Sequence, residues 1–245
     1  MNTLTQGIDR HGFAIAPGLL SADRVACLLS DLDRMLRGAE APVLRSRDRV
    51  YGVRNLTEVW PPSITVAHEV ALQEVVTAVL GDDFGLVRSI YFDKPPGRTW
   101  SLPWHRDMAI AVGNSARVGG AFRRSTVKAG VPHVEAPAWL LRSMLTARVA
   151  LDDVTDENGP LQVVPGSHLD AEADDLPDSR DLAARARPLH MCAGDVLFIR
   201  PLVVHRSGSS MEDTKRHRRT LHFEFASSVA LPDGIQWHQF LRVPS

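Results

Sequence analysis

The segment Trp104-His105-Arg106-Asp107 sets an imidazole and a carboxylate two residues apart. In extended backbone, residues i and i+2 project to the same side, so His105 and Asp107 can converge on one ion. The run Gly194-Asp195-Val196-Leu197-Phe198-Ile199-Arg200-Pro201-Leu202-Val203-Val204-His205 then reads as a turn, a strand and a histidine at the strand's far end. Two histidines and one carboxylate on one face of an iron ion form a facial triad, which leaves three positions open for co-substrate and oxygen. His205 lies 98 residues beyond Asp107, far enough to arrive from a different strand. A His-x-Asp pair alone recurs by chance in a chain with ten histidines, so the reading needs a third element.

That element follows His205. Lys215-Arg216-His217-Arg218-Arg219-Thr220-Leu221-His222-Phe223-Glu224-Phe225 is a basic cluster running into an alternating strand. A dicarboxylate chelated at iron needs a guanidinium for its far carboxylate, because the planar fork binds both oxygens and stays charged. Taken alone, the cluster reads equally as a basic, solvated strand start.

These residues need a scaffold, and the sequence outlines one. From Ser21, a potential cap, Val25, Leu28, Leu29, Leu32 and Leu36 recur at helical spacing as far as Gly38. A second helical pattern runs from about Ser63 to Leu80 and stops at Gly81. Beyond it the texture changes to short β-rich runs: Leu86–Asp93, Met144–Leu151, Leu161–Val164, Arg187–Cys192, Val196–Arg200 and Thr220–Ala226. Turn signals divide them at Pro95-Pro96-Gly97, Asn158-Gly159, Pro165-Gly166 and Ala193-Gly194-Asp195. Asn158-Gly159 suits a hairpin turn with positive φ at both central residues. Helices followed by strands, without a βαβ rhythm, predict a β-sandwich or small barrel with flanking helices. Two stretches read as long loops. One is the basic 113–137 segment with Arg117, Arg123, Arg124 and Lys128. The other is the acidic 168–186 segment with Asp170, Glu172, Asp174, Asp175, Asp178 and Asp181.

Composition removes several classes. With 28 basic against 29 acidic residues, the chain is not a general nucleic-acid or polybasic membrane binder. Its 245 residues can bury about 70% of the unfolded surface, so it needs no staple, and one domain over 1–245 is the simplest reading. The two cysteines, Cys27 and Cys192, form no CxxC or Cys/His spacing, which excludes thiolate zinc sites and disulfide scaffolds. The N-terminal residues lack the basic and apolar regions of a signal peptide, and no apolar run approaches the ~20 residues of a membrane span. The expectation is a cytoplasmic protein, monomeric or weakly homo-oligomeric, acting on a small molecule. His68-Glu69 lacks the second histidine of a zincin, and no GxGxxG, P-loop or GxSxG motif occurs.

Several motifs together resemble the phytanoyl-CoA dioxygenase family of Fe(II)/2-oxoglutarate-dependent oxygenases over roughly residues 12–237. They are Phe92-Asp93-Lys94-Pro95-Pro96 leading into Trp104-His105-Arg106-Asp107, Asp156-Glu157-Asn158-Gly159-Pro160-Leu161, Val164-Pro165-Gly166-Ser167-His168, and Gly194-Asp195 with His205 and the arginine cluster. The resemblance implies a mainly β fold with flanking helices, a double-stranded β-helix (jelly roll, cupin-like). The helices would occupy about 21–80 and the jelly-roll core about 84–226. It implies His105, Asp107 and His205 as iron ligands, with 2-oxoglutarate and O2 as co-substrates. It also implies Ser207 and one arginine at the far carboxylate of 2-oxoglutarate. The family's usual spacing after the distal histidine lands on Arg216. Aligning the following strand instead selects Arg218, which shares a face with Thr220, His222 and Glu224. Strand register outranks loop length, because loops absorb insertions cheaply, so Arg218 is preferred. The expected reaction is hydroxylation of an unactivated C–H with succinate and CO2 as co-products. Desaturation, cyclisation or epimerisation use the same cofactors. A non-catalytic metal-binding jelly roll and a zinc or manganese isomerase are the rivals from other classes. Asp107 fills the position that halogenases of this kind leave open for halide.

The remaining candidates are weaker. Lys94 reads as a carboxylate contact or a surface lysine. Thr146 and Arg148 alternate on one strand, so one face of it can line the cofactor cavity. Tyr51, Arg54, His133 and Glu135 fall on segments expected over the pocket mouth. His168, after its Pro-Gly-Ser turn, is a substrate candidate or a buried hydrogen-bonding histidine.

Overall fold

Alternation along the strands decides which side chains meet helices and which meet the barrel interior. The computed structural model describes residues 2–38, 43–46, 49–97, 100–113, 120–170 and 176–242. The N-terminal part holds α1 (Asn2–His11), β1 (Phe13–Ala16), α2 (Ala22–Gly38), β2 (Val43–Ser46), β3 (Arg49–Arg54), α3 (Leu56–Val59), α4 (Pro62–Ala67) and α5 (Val70–Leu80). The strands β4 (Gly85–Phe92), β5 (Leu102–His105), β6 (Ala109–Ala111), β7 (Arg123–Lys128) and β8 (Val131–Glu135) follow, then α6 (Ala138–Leu141). The chain continues through β9 (Met144–Ala150), β10 (Leu161–Val163), α7 (Ser179–Arg185), β11 (Arg187–Leu189), β12 (Val196–Ile199), β13 (His205–Ser207) and β14 (Thr220–Ala226).

The described strands form a large sheet in the order β1-β12-β9-β14-β4-β3-β2, a small sheet β11-β10-β13-β5, and a separate three-stranded sheet β6-β8-β7. Every pairing is antiparallel, and the large and small sheets make the jelly roll. On β14, Leu221, Phe223 and Phe225 point outward into one core with Val25, Leu28 and Leu32 of α2 and Leu72, Val75 and Val76 of α5. Each such fully buried side chain contributes about 1.5–3 kcal/mol, so this layer fixes the sheet's outer face. The alternate residues Thr220, His222 and Glu224 therefore turn inward. Leu161, Val163, Leu189, Leu197, Ile199 and Val203 fill part of the interior with apolar packing.

β14 matches its predicted span, and β4, β9, β10 and β12 fall within one residue of theirs. The helix at Ser21–Gly38 is present, with the Ser21 hydroxyl accepting from the Arg24 amide at 3.2 Å. The second predicted helix is broken at His68–Glu69. Glu69 takes an extended ψ of 128° and binds Arg24 of α2 at 2.9 Å, while the Gln73 side chain caps the Ala67 carbonyl. β11 stops at Leu189, three residues early, because His190 turns to Asp156 and Met191 bridges Val154. The 113–137 stretch is not a plain loop: it contains the β7–β8 hairpin, turned by Ala129 (φ 50°) and Gly130 (φ 79°). The 168–186 stretch likewise contains α7, capped by Asp178. Arg117, Glu172, Asp174 and Asp175 lie outside the described residues. Asn158-Gly159 is not a hairpin turn either. Asn158 ends a 3-10 turn and is buried, donating to the carbonyls of Asp153 (2.7 Å) and His217 (3.0 Å). Gly159 alone has positive φ (68°), and a Cβ there would collide with the Gly208 carbonyl.

Candidate metal centre and dicarboxylate pocket

β5 and β13 are neighbours in the small sheet, and their register sets His105 opposite His205. The two rings lie 4.2 Å apart between centroids. Asp107 follows β5 by two residues, and its amide donates to the Pro201 carbonyl at 3.0 Å, which holds the turn against the approach to β13. His105 Nε2 lies 3.8 Å from Asp107 Oδ1, and His205 Nε2 lies 3.6 Å from Oδ2. One ligand atom from each of the three falls within 4.8 Å of the others, the spacing of donors around one ion. Each imidazole uses Nδ1 to donate to a carbonyl two residues earlier: His105 to Pro103 at 2.8 Å and His205 to Val203 at 2.9 Å. That hydrogen bond orients the ring and leaves the Nε2 lone pair for a metal. Burial pushes the His205 imidazole down to about 4, keeping it neutral. Burial would raise the Asp107 carboxyl, but His205, His222, His105 and Arg148 outweigh it and hold the group well below the ordinary range. A neutral imidazole and an ionised carboxylate are the ligating forms.

Beside the triad, the buried Arg218 and Lys94 side chains meet at one hydroxyl. Backbone bonds at 3.2 Å in both directions join Lys94 to Arg218, extending the β4–β14 pairing by one step. Arg218 Nη2 donates to Ser207 Oγ at 3.1 Å, and Lys94 Nζ donates to the same oxygen at 2.7 Å and to the Gly208 carbonyl. Lys94 also sits 4.5 Å above the Trp100 ring. Burial, Arg218 and Arg148 push the Lys94 ammonium down to about 6, and burial and Arg148 push the Arg218 guanidinium down to about 9. Arg218 Nε is buried with no partner, and among the described residues Arg148 has neither a hydrogen bond nor an ion pair. Buried cations without a countercharge are costly. The unsatisfied Arg218 nitrogen and the neighbouring Lys94 amine give this pocket the donors to accept an anion. Arg216 faces solvent instead, paired with Glu157 at 3.0 Å.

Rungs across the large sheet locate the remaining residues. Arg54, Ile90, His222 and Arg148 are direct cross-strand neighbours, and so are Arg88, Glu224 and Thr146. The metal cavity is lined by Arg88, Ile90, Phe92, Trp100, Arg148 and Glu224, among others, together with the triad. Thr146 is buried one rung beyond Arg148 and is not among the lining residues, contrary to expectation. Tyr51 alternates with Val53 toward the opposite face of β3 from Arg54. His133 is buried on β8 with Nδ1 donating to the Val131 carbonyl at 2.9 Å; burial, then Arg88, lowers it to about 4. Glu135 pairs with Arg124 at 3.5 Å. His168 is away from the cavity: it packs against Gly12 and bonds the Asp9 carbonyl at 3.1 Å, tying down α1. Arg88, His222 and Glu224 are pocket residues that motif reading passed over. Glu224 binds Arg88 at 3.1 Å and accepts from His222 Nε2 at 3.0 Å. The signal for His222 and Glu224 was available in β14, where polar residues alternate with phenylalanines on a strand that is buried on both faces, and Arg88 is the one charged residue of the apolar β4.

A jelly roll with two histidines and one carboxylate converging beside a buried basic pocket defines the facial-triad class of metal-binding folds. The phytanoyl-CoA dioxygenase (PhyH) family profile matches residues 8–218, and the chain belongs to that family. An ectoine dioxygenase from Sphingopyxis alaskensis is 26% identical over 166 residues, covering 65% of this chain and 47% of that protein. The chain spans about half the length of the first curated relatives it matches. The structure of EctD from S. alaskensis with 2-oxoglutarate and 5-hydroxyectoine superposes with a TM-score of 0.70 at 20% identity, over 92% of this chain and 76% of that one. The epimerase SnoN from nogalamycin biosynthesis superposes at 0.67 and 20% identity, over 100% and 93%. No helix among the described residues is long and apolar enough to cross a membrane.

Proposed function

We propose that the protein is an Fe(II)/2-oxoglutarate-dependent oxygenase that hydroxylates an unactivated C–H of a small molecule. One observation carries this reading: the His105–Asp107–His205 triad adjoins a buried pair of basic side chains, Arg218 and Lys94, that share Ser207 and, among the described residues, have no ion pair with a carboxylate. A structural metal has no use for that second pocket, which argues against a non-catalytic module or an isomerase that needs only its metal. The donor set fits the cofactors. Two nitrogens and one carboxylate suit iron(II), and the unpartnered Arg218 Nε suits a carboxylate.

When bound, iron and 2-oxoglutarate supply the oxidising chemistry, with dioxygen consumed and succinate and CO2 released. The chain's own residues do the rest. His105, Asp107 and His205 would hold the metal, each with one donor atom. Arg218, Lys94 and Ser207 would hold the far carboxylate, with Arg148 adding positive charge on the same sheet face as Arg218. Phe92, Trp100, Ile90 and Leu161 wall the cavity and exclude water. Asp107 occupies the position a halide would need, which favours hydroxylation over halogenation. The fold likeness to the epimerase SnoN keeps epimerisation as the second reading.

The test is anaerobic. Adding Fe(II) and then 2-oxoglutarate should give a weak visible charge-transfer band that Asp107→Ala lacks. Under air the native protein should form succinate. Absence of both the band and succinate would overturn the proposal.

A further inference from the structure

Beyond the triad, three arginines, Arg148, Arg88 and Arg54, gather on one face of the large sheet. Arg54 lies directly across from Ile90, which continues the rung through His222 to Arg148. Ile90, His222 and Arg148 line the metal cavity, so Arg54 lies on the same sheet face one strand further out, beyond the lining residues. Arg88 also faces inward, but its guanidinium is taken by Glu224 at 3.1 Å and by the Ala109 carbonyl at 3.2 Å. Glu224 is hydrogen-bonded to Arg88 and His222, so it acts on the other cations of this face through space and not by a direct contact.

The β7–β8 hairpin brings a further positive charge to the rim of this face. Lys128 is the last residue of β7, just before the Ala129-Gly130 turn. Asn55, next to Arg54, donates to the Ala129 carbonyl at 3.5 Å, which holds that turn beside β3. β8 pairs with β6, the strand whose Ala109 carbonyl receives Arg88. Both ends of the hairpin are thus tied to the cavity's edge. Lys128 and Arg54 are each half-buried, and among the described residues neither has a hydrogen bond or ion pair. Burial, then Arg88, lowers both groups, and Arg54 further lowers Lys128, while Glu224 pulls both the other way, joined by Tyr51 at Arg54 and by Asp107 at Lys128. The other cations of the hairpin behave as ordinary surface charge: Arg124 is 82% exposed and Arg123 is exposed.

We infer that the substrate carries an anionic group, a carboxylate or phosphate, held by Arg54 and Lys128 at the rim while the carbon to be oxidised faces the metal. The inference deepens the oxygenase reading and rests on it for the position of the reacting carbon. Two half-buried cations without a counterion cost free energy that an incoming anion recovers, so the same arrangement selects against neutral molecules. His133, neutral and buried beside Arg88, adds a hydrogen-bonding nitrogen without adding charge.

The experiment uses the full chain loaded with Mn(II) and N-oxalylglycine, so that the 2-oxoglutarate pocket is already filled. Calorimetry then compares matched probes: hexanoate with hexanamide, phenylacetate with phenylacetamide, and phenyl phosphate with phenol. At least one anion should bind about tenfold more tightly than its neutral partner, and weaken with added salt. Arg54→Gln and Lys128→Gln should each lower that affinity about tenfold, without changing the affinity for N-oxalylglycine. The carboxylate and phosphate arms show which anion the rim prefers. Equal binding of neutral and anionic probes, no anion binding up to about 10 mM, or an undiminished affinity in Arg54→Gln and Lys128→Gln would overturn the inference. Failure of Mn(II) and N-oxalylglycine to bind at the start would count against the oxygenase reading instead.

Discussion

Lys94 is fully buried, carries an amine whose pKa is pushed to about 6, and shares Ser207 with a second cation. Near neutral pH it is largely uncharged in the free site, because burial and the repulsion of Arg218 and Arg148 outweigh its hydrogen bonds. A carboxylate entering between Lys94 and Arg218 reverses that balance and raises the amine's pKa. Above pH 6, binding 2-oxoglutarate therefore takes up as much as one proton, and affinity falls as pH rises, by at most about tenfold per unit. Below pH 6 the amine is already charged and the dependence from this group disappears. Calorimetry at pH 7.5 in two buffers of different ionisation enthalpy reads the proton directly. The native protein should show uptake, and Lys94→Met should show none while binding more weakly. Equal heats in both buffers for the native protein would refute the coupling.

The elements that bring His105, Asp107 and His205 together were legible because their signals are local. β14 reads as a strand from its alternation, and that alternation places Arg218, Thr220, His222 and Glu224 on one face, which is how Arg218 could be preferred over Arg216. The His105-x-Asp107 pair and the strand leading to His205 were legible for the same reason. The β7–β8 hairpin was not. Arg-Arg-Ser-Thr-Val-Lys has no apolar alternation, and its strand is held by pairing with β8 rather than by burial. Its turn uses Ala-Gly where an Asn-Gly or Asp-Gly signal would have been read. Ala129 at φ 50° is in left-handed backbone that disfavours a Cβ by about 1 kcal/mol. The break between α4 and α5 was hidden too, since it depends on Arg24, which is distant in sequence. Ala129→Asn should relieve the turn, since asparagine tolerates this conformation, and should stabilise the protein by about 0.5–1 kcal/mol. In thermal unfolding that is a rise of roughly 1–4 °C in Tm for a chain of this size. A fall in Tm would show that the turn geometry is not the one described.

At the scale of the whole molecule, the candidate site is the seam between the two sheets. His105, His205 and Ser207 come from β5 and β13 of the small sheet, whereas Lys94 and Arg218 flank β4 and β14 of the large one. In the free protein, the hydrogen bonds from Lys94 and Arg218 to Ser207 cross this seam beside the metal centre. They bring the Arg218 guanidinium and the Lys94 amine to one oxygen, where the guanidinium opposes charging of the amine. A dianion anchored on Arg218 and Lys94 and on a metal held by the small sheet would replace that opposition with attraction across both sheets. The large sheet's other face is already fixed by α2 and α5 through the core around Phe223 and Phe225, so little tightening is available there. Binding should therefore stabilise the molecule unevenly. Hydrogen exchange with Mn(II) and 2-oxoglutarate together should slow at β5, β13, Lys94 and the start of β14, and stay unchanged in α2 and α5. Mn(II) alone should protect β5 and β13 but not Lys94 or Arg218, since it engages only the small sheet. Ligand at about 100 times its dissociation constant adds about 2.7 kcal/mol, enough to be seen in the exchange rates of segments that open locally. Protection confined to the small sheet with both ligands present would show that the co-substrate does not bridge the seam, and would remove Arg218 and Lys94 from its binding site.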